Sequence, residues 1–355
     1  MLLRITDLTL RNFRSYSDFD LQEIGGLTIF VGMNATGKTN AIEAIQLLTS
    51  HASFRNAPTR ELIRRGTKEG YASISLEDGN RKLKIDLKLE EGKRKYLLNE
   101  KPKQPKDLKG MLPSVVFTPD DLDLIKGSNT NRRREMDILG SQLNANYYQI
   151  MRDFEKILRH KNSLLKDEDD HGMLSSINEI FTTVGQQMTN YRSALFERLM
   201  PITAKMYGRV SSSKETLTGE YMPSWQEVHE DASDMAQAIQ HLEREERQRG
   251  RALVGPHLDT IRFFLDGMEA SRFGSQGQQR TIVLALKLAQ AQLIEDMMNQ
   301  DPVLLLDDVM SELDASRREA LVENLMKDRQ TFITTANLDY FDSSILDSAK
   351  VVPLS

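Results

Sequence analysis

Gly32-Met33-Asn34-Ala35-Thr36-Gly37-Lys38-Thr39 fits the spacing G-x-x-x-x-G-K-[ST]. In such a loop, backbone N–H groups and a helix N-terminus cradle anionic phosphates, the lysine reaches the β- and γ-phosphates, and the hydroxyl ligates Mg²⁺. Context decides whether the pattern is more than a glycine-rich turn capping a helix. Here Leu27-Thr28-Ile29-Phe30-Val31 precedes it as a buried parallel strand, and Ala41, Ala44, Ile45 and Leu48 follow at helical spacing on one face.

Val303-Leu304-Leu305-Leu306-Asp307-Asp308 supplies the second half of such a site. An apolar strand ending in an acid puts the Asp307 carboxylate beside the phosphate loop, where it holds Mg²⁺, directly or through water. Asp308 at the strand tip suits orienting or deprotonating an attacking water. Taken alone, two acids after a strand are a polar turn. The phosphate loop makes the functional reading the better one.

Phe273-Gly274-Ser275-Gln276-Gly277-Gln278-Gln279-Arg280 lies directly before a helix. Small residues at a helix start present N–H groups to an anion. Ser275 with Gln278 also forms a capping box, and the two readings are compatible. A nucleotide needs one phosphate loop, so a second anion site makes sense if it meets the γ-phosphate held by another subunit.

The elements around these residues fall into three blocks. Residues 1–130 carry strands, the phosphate loop and an antiparallel meander over 71–98, where Leu83, Ile85, Leu87 and Leu89 alternate with Lys84, Asp86 and Lys88. Residues 131–250 have helical periodicity, with a charged break at 166–171, a Gly/Ser/Pro-containing loop at 208–224 and a charged helix near 228–250. Residues 251–355 return to α/β, with a strand at 268–273 and a helix over 315–327.

Composition narrows the chemistry. The 355-residue chain has no cysteine, which excludes disulfides, iron–sulfur ligation, zinc–thiolate sites and thiol nucleophiles. Its six histidines are scattered, and no pair has the i, i+4 spacing of a helical zinc site. A formal net charge of -5 leaves no global basic field, so nucleic acid contact requires a local patch. Arg81, Lys82, Lys84, Lys88, Lys93, Arg94, Lys95, Lys101, Lys103, Lys106 and Lys109 form one candidate. Arg55, Arg60, Arg64, Arg65 and Lys68 form another. The plain alternative for each is a solvated face. Arg132-Arg133-Arg134 is set aside as a possible brace between lobes. No apolar run approaches the ~20 residues of a membrane helix, and a cytoplasmic protein is expected.

In this order, the three elements and the helical insertion resemble the ATPase heads of the ABC class, including the structural-maintenance-of-chromosomes group, and most closely a bacterial family of recombination mediators. The resemblance runs nearly end to end. It rests on Leu10-Arg11-Asn12-Phe13-Arg14-Ser15-Tyr16, the loop running into Lys38-Thr39-Asn40, Ser53-Phe54-Arg55, Phe117-Thr118-Pro119-Asp120-Asp121-Leu122, Arg132–Arg134, Gly255-Pro256-His257, Ser275–Thr281 and Leu306–Asp314.

The fold implied is α/β: an ABC-type head with a mixed sheet, an antiparallel β subdomain and an inserted, mainly helical lobe. The resemblance also implies a head-to-head homodimer closed by two ATP molecules with Mg²⁺. Gly32 through Asn40 and Asp307 of one subunit would act with Ser275, Gly277 and Gln278 of the other. Asp308 would be the hydrolytic carboxylate, and 311–314 would pass beside the dimer axis. Such dimers clamp duplex or junction DNA, use slow DNA-stimulated hydrolysis as a switch, and work with RecO and RecR to load recombinase at gaps.

The chain departs from the family at four places. Ala35 replaces a usual glycine, so the loop either keeps φ negative there or is strained. One acid, Asp259, follows Gly255-Pro256-His257 where two are usual. Val115-Val116 occupies the stretch of the glutamine loop. Thr334-Thr335-Ala336-Asn337 lacks a histidine. These losses point to slow turnover. A P-loop small-molecule kinase and a structural head bridging distant DNA are the competing readings. The first has no use for Ser275–Arg280, and for the second the insertion is too short for long coiled-coil arms.

Overall fold

The computed structural model describes residues 3–90, 92–166, 171–211, 215–228, 234–325 and 329–354. The chain forms two compact units. The first comprises residues 1–121, 209–211 and 284–355, and the second 122–208 and 212–283.

At the centre of the first unit is a five-stranded, wholly parallel sheet in the order Lys350–Pro353, Leu27–Val31, Thr331–Thr335, Val303–Asp307, Ser114–Phe117. Every residue of Val303–Asp307 and Thr331–Thr335 is buried, which accounts for their unbroken apolar or β-branched character. The second sheet is antiparallel, ordered Tyr16–Leu21, Arg4–Phe13, Glu69–Glu77, Lys82–Glu90, Lys93–Leu98, Lys101–Lys103. Ile85, Leu87 and Leu89 face the core while Lys84 and Lys88 are exposed, as the period-2 pattern requires; Asp86, expected between them on the wet face, is instead buried, where it accepts from the Tyr71 hydroxyl. The segment with Pro102 and Pro105 forms the edge strand Lys101–Lys103 and the helical turn Pro105–Leu108.

Helix Lys38–Thr49 touches strands of both sheets and is buried nearly all round. The amphipathic stripe expected from sequence is therefore incomplete. A helix lying between two sheets has no wet face, and Glu43 and Gln46 are buried along with Ala41, Ile45 and Leu48. The Gln330 side chain ties distant segments together. It accepts from the Ile5 N–H at 2.7 Å and donates to the Ile5 carbonyl at 2.7 Å and the Gly25 carbonyl at 2.9 Å.

The second unit contains helices Asn129–Leu143, Ala145–Leu164 and Met235–Arg249, most of the 41-residue helix His171–Ser211, and a three-stranded sheet. Tyr147, Phe154, Phe181, Met188, Trp225 and Met235 fill its core. The sheet is ordered Met268–Glu269, Thr260–Leu265, Leu217–Met222, which changes two expectations. The supposed loop at 208–224 contributes the strand Leu217–Met222. Gly219 is there because a Cβ would lie 2.7 Å from Met200 Sδ and 2.8 Å from the Phe196 ring, not because the chain turns. This pairing also draws 251–283 into the second unit, so the chain re-enters the first at Leu284 rather than at 251.

The strand expected over 268–273 is only Met268–Glu269, continued by the helical turn Ala270–Phe273. Helix Ala315–Leu325 matches the segment expected over 315–327 up to residue 325. Residues 167–170 of the charged break, 212–214 and 229–233, Glu91 within the meander, and 326–328 lie outside the described residues.

Asp259 joins elements within the second unit. Its carboxylate accepts from the Tyr221 hydroxyl, the Thr189 hydroxyl and the Ser224 N–H, and its carbonyl accepts from Arg133. Arg132 donates to the carbonyls of Leu124 and Ile125. The arginine triplet thus contains at least two residues that brace this unit's own backbone.

Candidate functional site

The phosphate loop leaves the sheet at Gly32, where a Cβ would lie 2.4 Å from the Leu354 carbonyl oxygen. It enters the helix at Gly37, whose φ of 101° and 2.8 Å approach to Ser15 Oγ admit no side chain. Between them Ala35 adopts φ 70°. Of the two outcomes left open by its sequence, strain is the one realised. Lys38 is buried, and its Nζ donates to the carbonyls of Gly32 at 2.7 Å and Met33 at 3.0 Å, so the ammonium lies across the loop mouth. Met33 is 81% exposed at the loop tip.

Asp307 ends its strand two positions across the sheet from the loop strand, with Thr331–Thr335 between them. Thr39 hydrogen-bonds to the Asp307 carboxylate, and the Thr334 hydroxyl donates to its Oδ1 at 2.8 Å. Burial nonetheless pushes the Asp307 carboxyl above its ordinary range; the two hydroxyls and the Arg55 charge oppose the shift only in part. Asp308 follows at φ 52°, half-buried, its N–H donating to Thr334 Oγ1 at 2.9 Å. The loop, Thr39, Asp307, Asp308 and Thr334 therefore share one edge of the parallel sheet.

Sequence reasoning missed a polar network beside this edge. Buried Glu43 takes both Arg14 Nε and Nη2 at 2.9 Å and the Ser53 hydroxyl at 2.6 Å. Arg55 lies 3.7 Å from Glu43 and donates to Asn40 Oδ1 at 2.9 Å, and Asn40 donates to Ser15 Oγ at 2.9 Å. Arg55, assigned from sequence to a basic cluster for nucleic acid, is thus engaged next to the phosphate loop. The available signal was that Arg14, Ser15, Ser53 and Arg55 all fall in the segments carrying the family resemblance.

Ser275, Gly277 and Gln278 lie in the second unit, at the start of helix Gln276–Met298. The capping box expected there is formed: Ser275 N–H donates to Gln278 Oε1 at 2.7 Å, and Gln278 N–H donates to Ser275 Oγ at 3.2 Å.

In and around the antiparallel sheet several basic residues are already matched. Lys95 pairs with Glu90 at 2.8 Å and Arg81 with Asp78 at 2.6 Å, while Arg94 donates to the Ala57 carbonyl and Lys109 to the Ser50 carbonyl. Lys88, Lys93, Lys101 and Lys103 are exposed and have no ion pair among the described residues.

A phosphate loop on a parallel sheet, an acid-tipped strand on the same edge and an antiparallel β layer across the loop helix define an ATPase head of the ABC type, in its SMC-like branch. The comparisons agree. Residues 4–351 match the family model for the RecF/RecN/SMC N-terminal domain. The chain is 36% identical to the DNA replication and repair protein RecF of Gloeobacter violaceus, with 100% of this chain and 97% of that protein covered. It is 34% identical to RecF of a Cyanothece species, covering 99% and 96%. A solved structure of the recombination mediator RecF-ATP in the RecFOR pathway superposes with TM-score 0.86 at 29% identity, covering 95% of this chain and 93% of that one. The Smc head of Pyrococcus furiosus shares the fold alone, at TM-score 0.55 and 16% identity.

The chain belongs to the RecF family of DNA replication and repair proteins. Among the described residues no helix is long and apolar enough to cross a membrane.

Proposed function

We propose that the chain is an ATP-gated DNA clamp of recombinational repair, in which two copies close head to head around two shared nucleotides. The observation that carries this reading is the sheet edge joining the phosphate loop, Thr39, Asp307, Thr334 and Asp308, with a second, separately built anion turn at Ser275–Gln278.

Gly32 to Asn40 cradle the triphosphate of ATP, and Lys38 exchanges the loop carbonyls for β- and γ-phosphate oxygens. The Thr39 hydroxyl and Asp307 carboxylate suit Mg²⁺: they are already adjacent, and a buried carboxylate is better satisfied beside a cation than alone. An ion held by Thr39 and Asp307 would supply neutralisation of phosphate charge. Asp308 orients and deprotonates the attacking water, and Ser275 and Gly277 of the other copy donate to the γ-phosphate.

ATP then bridges the dimer, and its hydrolysis removes the bridge and times release. The missing histidine and glutamine support a weak, DNA-stimulated ATPase used as a switch. Lys88, Lys93, Lys101 and Lys103 are the best candidates for backbone contacts to duplex or junction DNA. The solved relative's place in the RecFOR pathway supports RecO and RecR as partners in loading recombinase at gaps, in the cytoplasm.

Light scattering without nucleotide, with ADP, and with ATP and Mg²⁺, each with and without duplex DNA, tests the proposal. The expected result is a monomer that dimerises only with ATP and then retains DNA, and a Lys38→Ala variant that does neither. A monomer under every condition overturns the shared-nucleotide reading and favours a small-molecule kinase.

A further inference from the structure

Both oxygens of the Glu215 carboxylate are hydrogen-bonded, each to a different element. Oε2 accepts from the Tyr207 hydroxyl at 2.6 Å, near the end of helix His171–Ser211. Oε1 accepts from Gln278 Nε2 at 2.6 Å, in the first turn of helix Gln276–Met298. The other end of the Gln278 amide accepts the Ser275 N–H at 2.7 Å. This orientation is chemically forced, because a carboxylate demands a donor and an N–H demands an acceptor.

The chain Tyr207–Glu215–Gln278–Ser275 lies wholly within the second unit. Tyr207 and the backbone beside Glu215 are well held. Tyr207 is buried, and the residue after Glu215 is locked by a reciprocal pair: Thr216 N–H donates to Asp266 Oδ1 at 2.9 Å, and Asp266 N–H donates to the Thr216 carbonyl at 3.0 Å.

We infer that Glu215 is a positioning residue for the anion turn, fixing Gln278 so that Ser275 presents its hydroxyl proton outward. Ser275 Oγ accepts from the Gln278 N–H, which occupies a lone pair and leaves the O–H to donate to an incoming phosphate. The capping box alone would define this geometry loosely, since a free glutamine side chain rotates about three bonds. Anchoring its amide to a carboxylate, in a charge-assisted bond, removes that freedom. A negative charge near a helix N-terminus is itself favourable, so the anchor costs the helix nothing. Through Tyr207 the same carboxylate ties the turn to the longest helix of the unit. Glu215 would touch no nucleotide; it acts through Gln278 and Ser275. The inference rests on the shared-nucleotide reading above.

The test measures dimer mass against concentration in saturating ATP and Mg²⁺ for the parent chain, Glu215→Ala, Glu215→Gln and Tyr207→Phe. Glu215→Ala is expected to weaken the ATP-bound dimer about tenfold or more, as losing a hydrogen bond to a charged group would. Glu215→Gln keeps an acceptor for the Gln278 amide and should stay within about threefold of the parent. Tyr207→Phe should fall between them, and it reads the same chain if the alanine variant does not fold.

Binding of a fluorescent ATP analogue to the monomer is the control, because the phosphate loop belongs to the other unit. That affinity should be unchanged in all three variants. Parental dimerisation by Glu215→Ala overturns the inference, as does a Glu215→Gln variant as impaired as alanine. A parent that never dimerises overturns the shared-nucleotide reading and the positioning role with it.

Discussion

The Thr334 hydroxyl donates to Asp307 Oδ1 at 2.8 Å while accepting the N–H of Asp308 at 2.9 Å. One side chain thus holds both the Asp307 carboxylate and the backbone of Asp308 at the end of the buried strand.

The pH dependence follows from this arrangement. Burial raises the Asp307 carboxyl above its ordinary range, and the Thr334 hydrogen bond opposes the rise. In the proposed site Mg²⁺ would be held by the ionised form and would itself favour that form, so a proton competes with the metal and turnover at subsaturating Mg²⁺ should fall with decreasing pH. Thr334→Val removes an opposing donor, which should move that midpoint further up and lower turnover about 10- to 100-fold, the usual effect of removing a group that orients a metal ligand. Steady-state ATPase rates from pH 5 to 9 measure both. An unshifted midpoint would show that Thr334 does not govern Asp307.

Stability should respond with the opposite sign. A folded-state carboxyl pKa above the unfolded value adds stability at low pH, which is lost as pH rises through the folded pKa. Asp307→Asn should therefore raise the thermal midpoint of the nucleotide-free chain at neutral pH and abolish the further rise that ATP with Mg²⁺ gives the parent. Differential scanning fluorimetry distinguishes the two effects.

Ala35 is strained at φ 70°. Left-handed backbone costs an alanine about 1–2 kcal/mol, and glycine would return part of that through a freer unfolded chain, about 0.4–1 kcal/mol. Ala35→Gly is expected to stabilise the nucleotide-free chain by roughly 0.5 kcal/mol. A higher urea midpoint with unchanged slope would confirm it.

Asp308→Asn should bind ATP, dimerise and remain on DNA, because it keeps the backbone donor to Thr334 and loses only the base. Single-turnover hydrolysis with dissociation timed on a fluorescent duplex follows both steps. Parental cycling by this variant would remove Asp308 from its catalytic role.

DNA affinity should fall with salt by about 0.9 log units per log unit of salt for each phosphate contacted. Replacing Lys88, Lys93, Lys101 and Lys103 together by alanine should flatten that slope and leave monomer ATP binding intact. An unaltered slope moves the interface away from these four lysines.

What could be read in the sequence were features written in contiguous residues. The phosphate loop, the acid pair ending the Val303–Asp307 strand, the Ser275–Gln278 box and the alternating run from Leu83 to Leu89 each lie within a dozen positions, where spacing reports geometry. The buried partners of Glu43 could not be read that way, because residues 14, 43 and 53 meet only when a helix is packed between two sheets. Leu217–Met222 was concealed by Gly219, whose missing side chain serves a close contact rather than a turn. The return to the first unit at Leu284 was invisible for a simpler reason: it falls inside an uninterrupted helix.

The interleaving of the parallel sheet bears on how the protein is made. The strand leading into the phosphate loop, Leu27–Val31, is flanked on both sides by strands from beyond residue 330, and Gln330 latches onto Ile5 across 325 positions. At ribosomal speeds of about 5–20 residues per second, those neighbours arrive on the order of tens of seconds later. A nascent chain can build its antiparallel layer early, but the strand that launches the nucleotide loop has to wait for nearly all of the remaining sequence. Synthesis itself thus delays assembly of the nucleotide loop until the molecule is nearly whole.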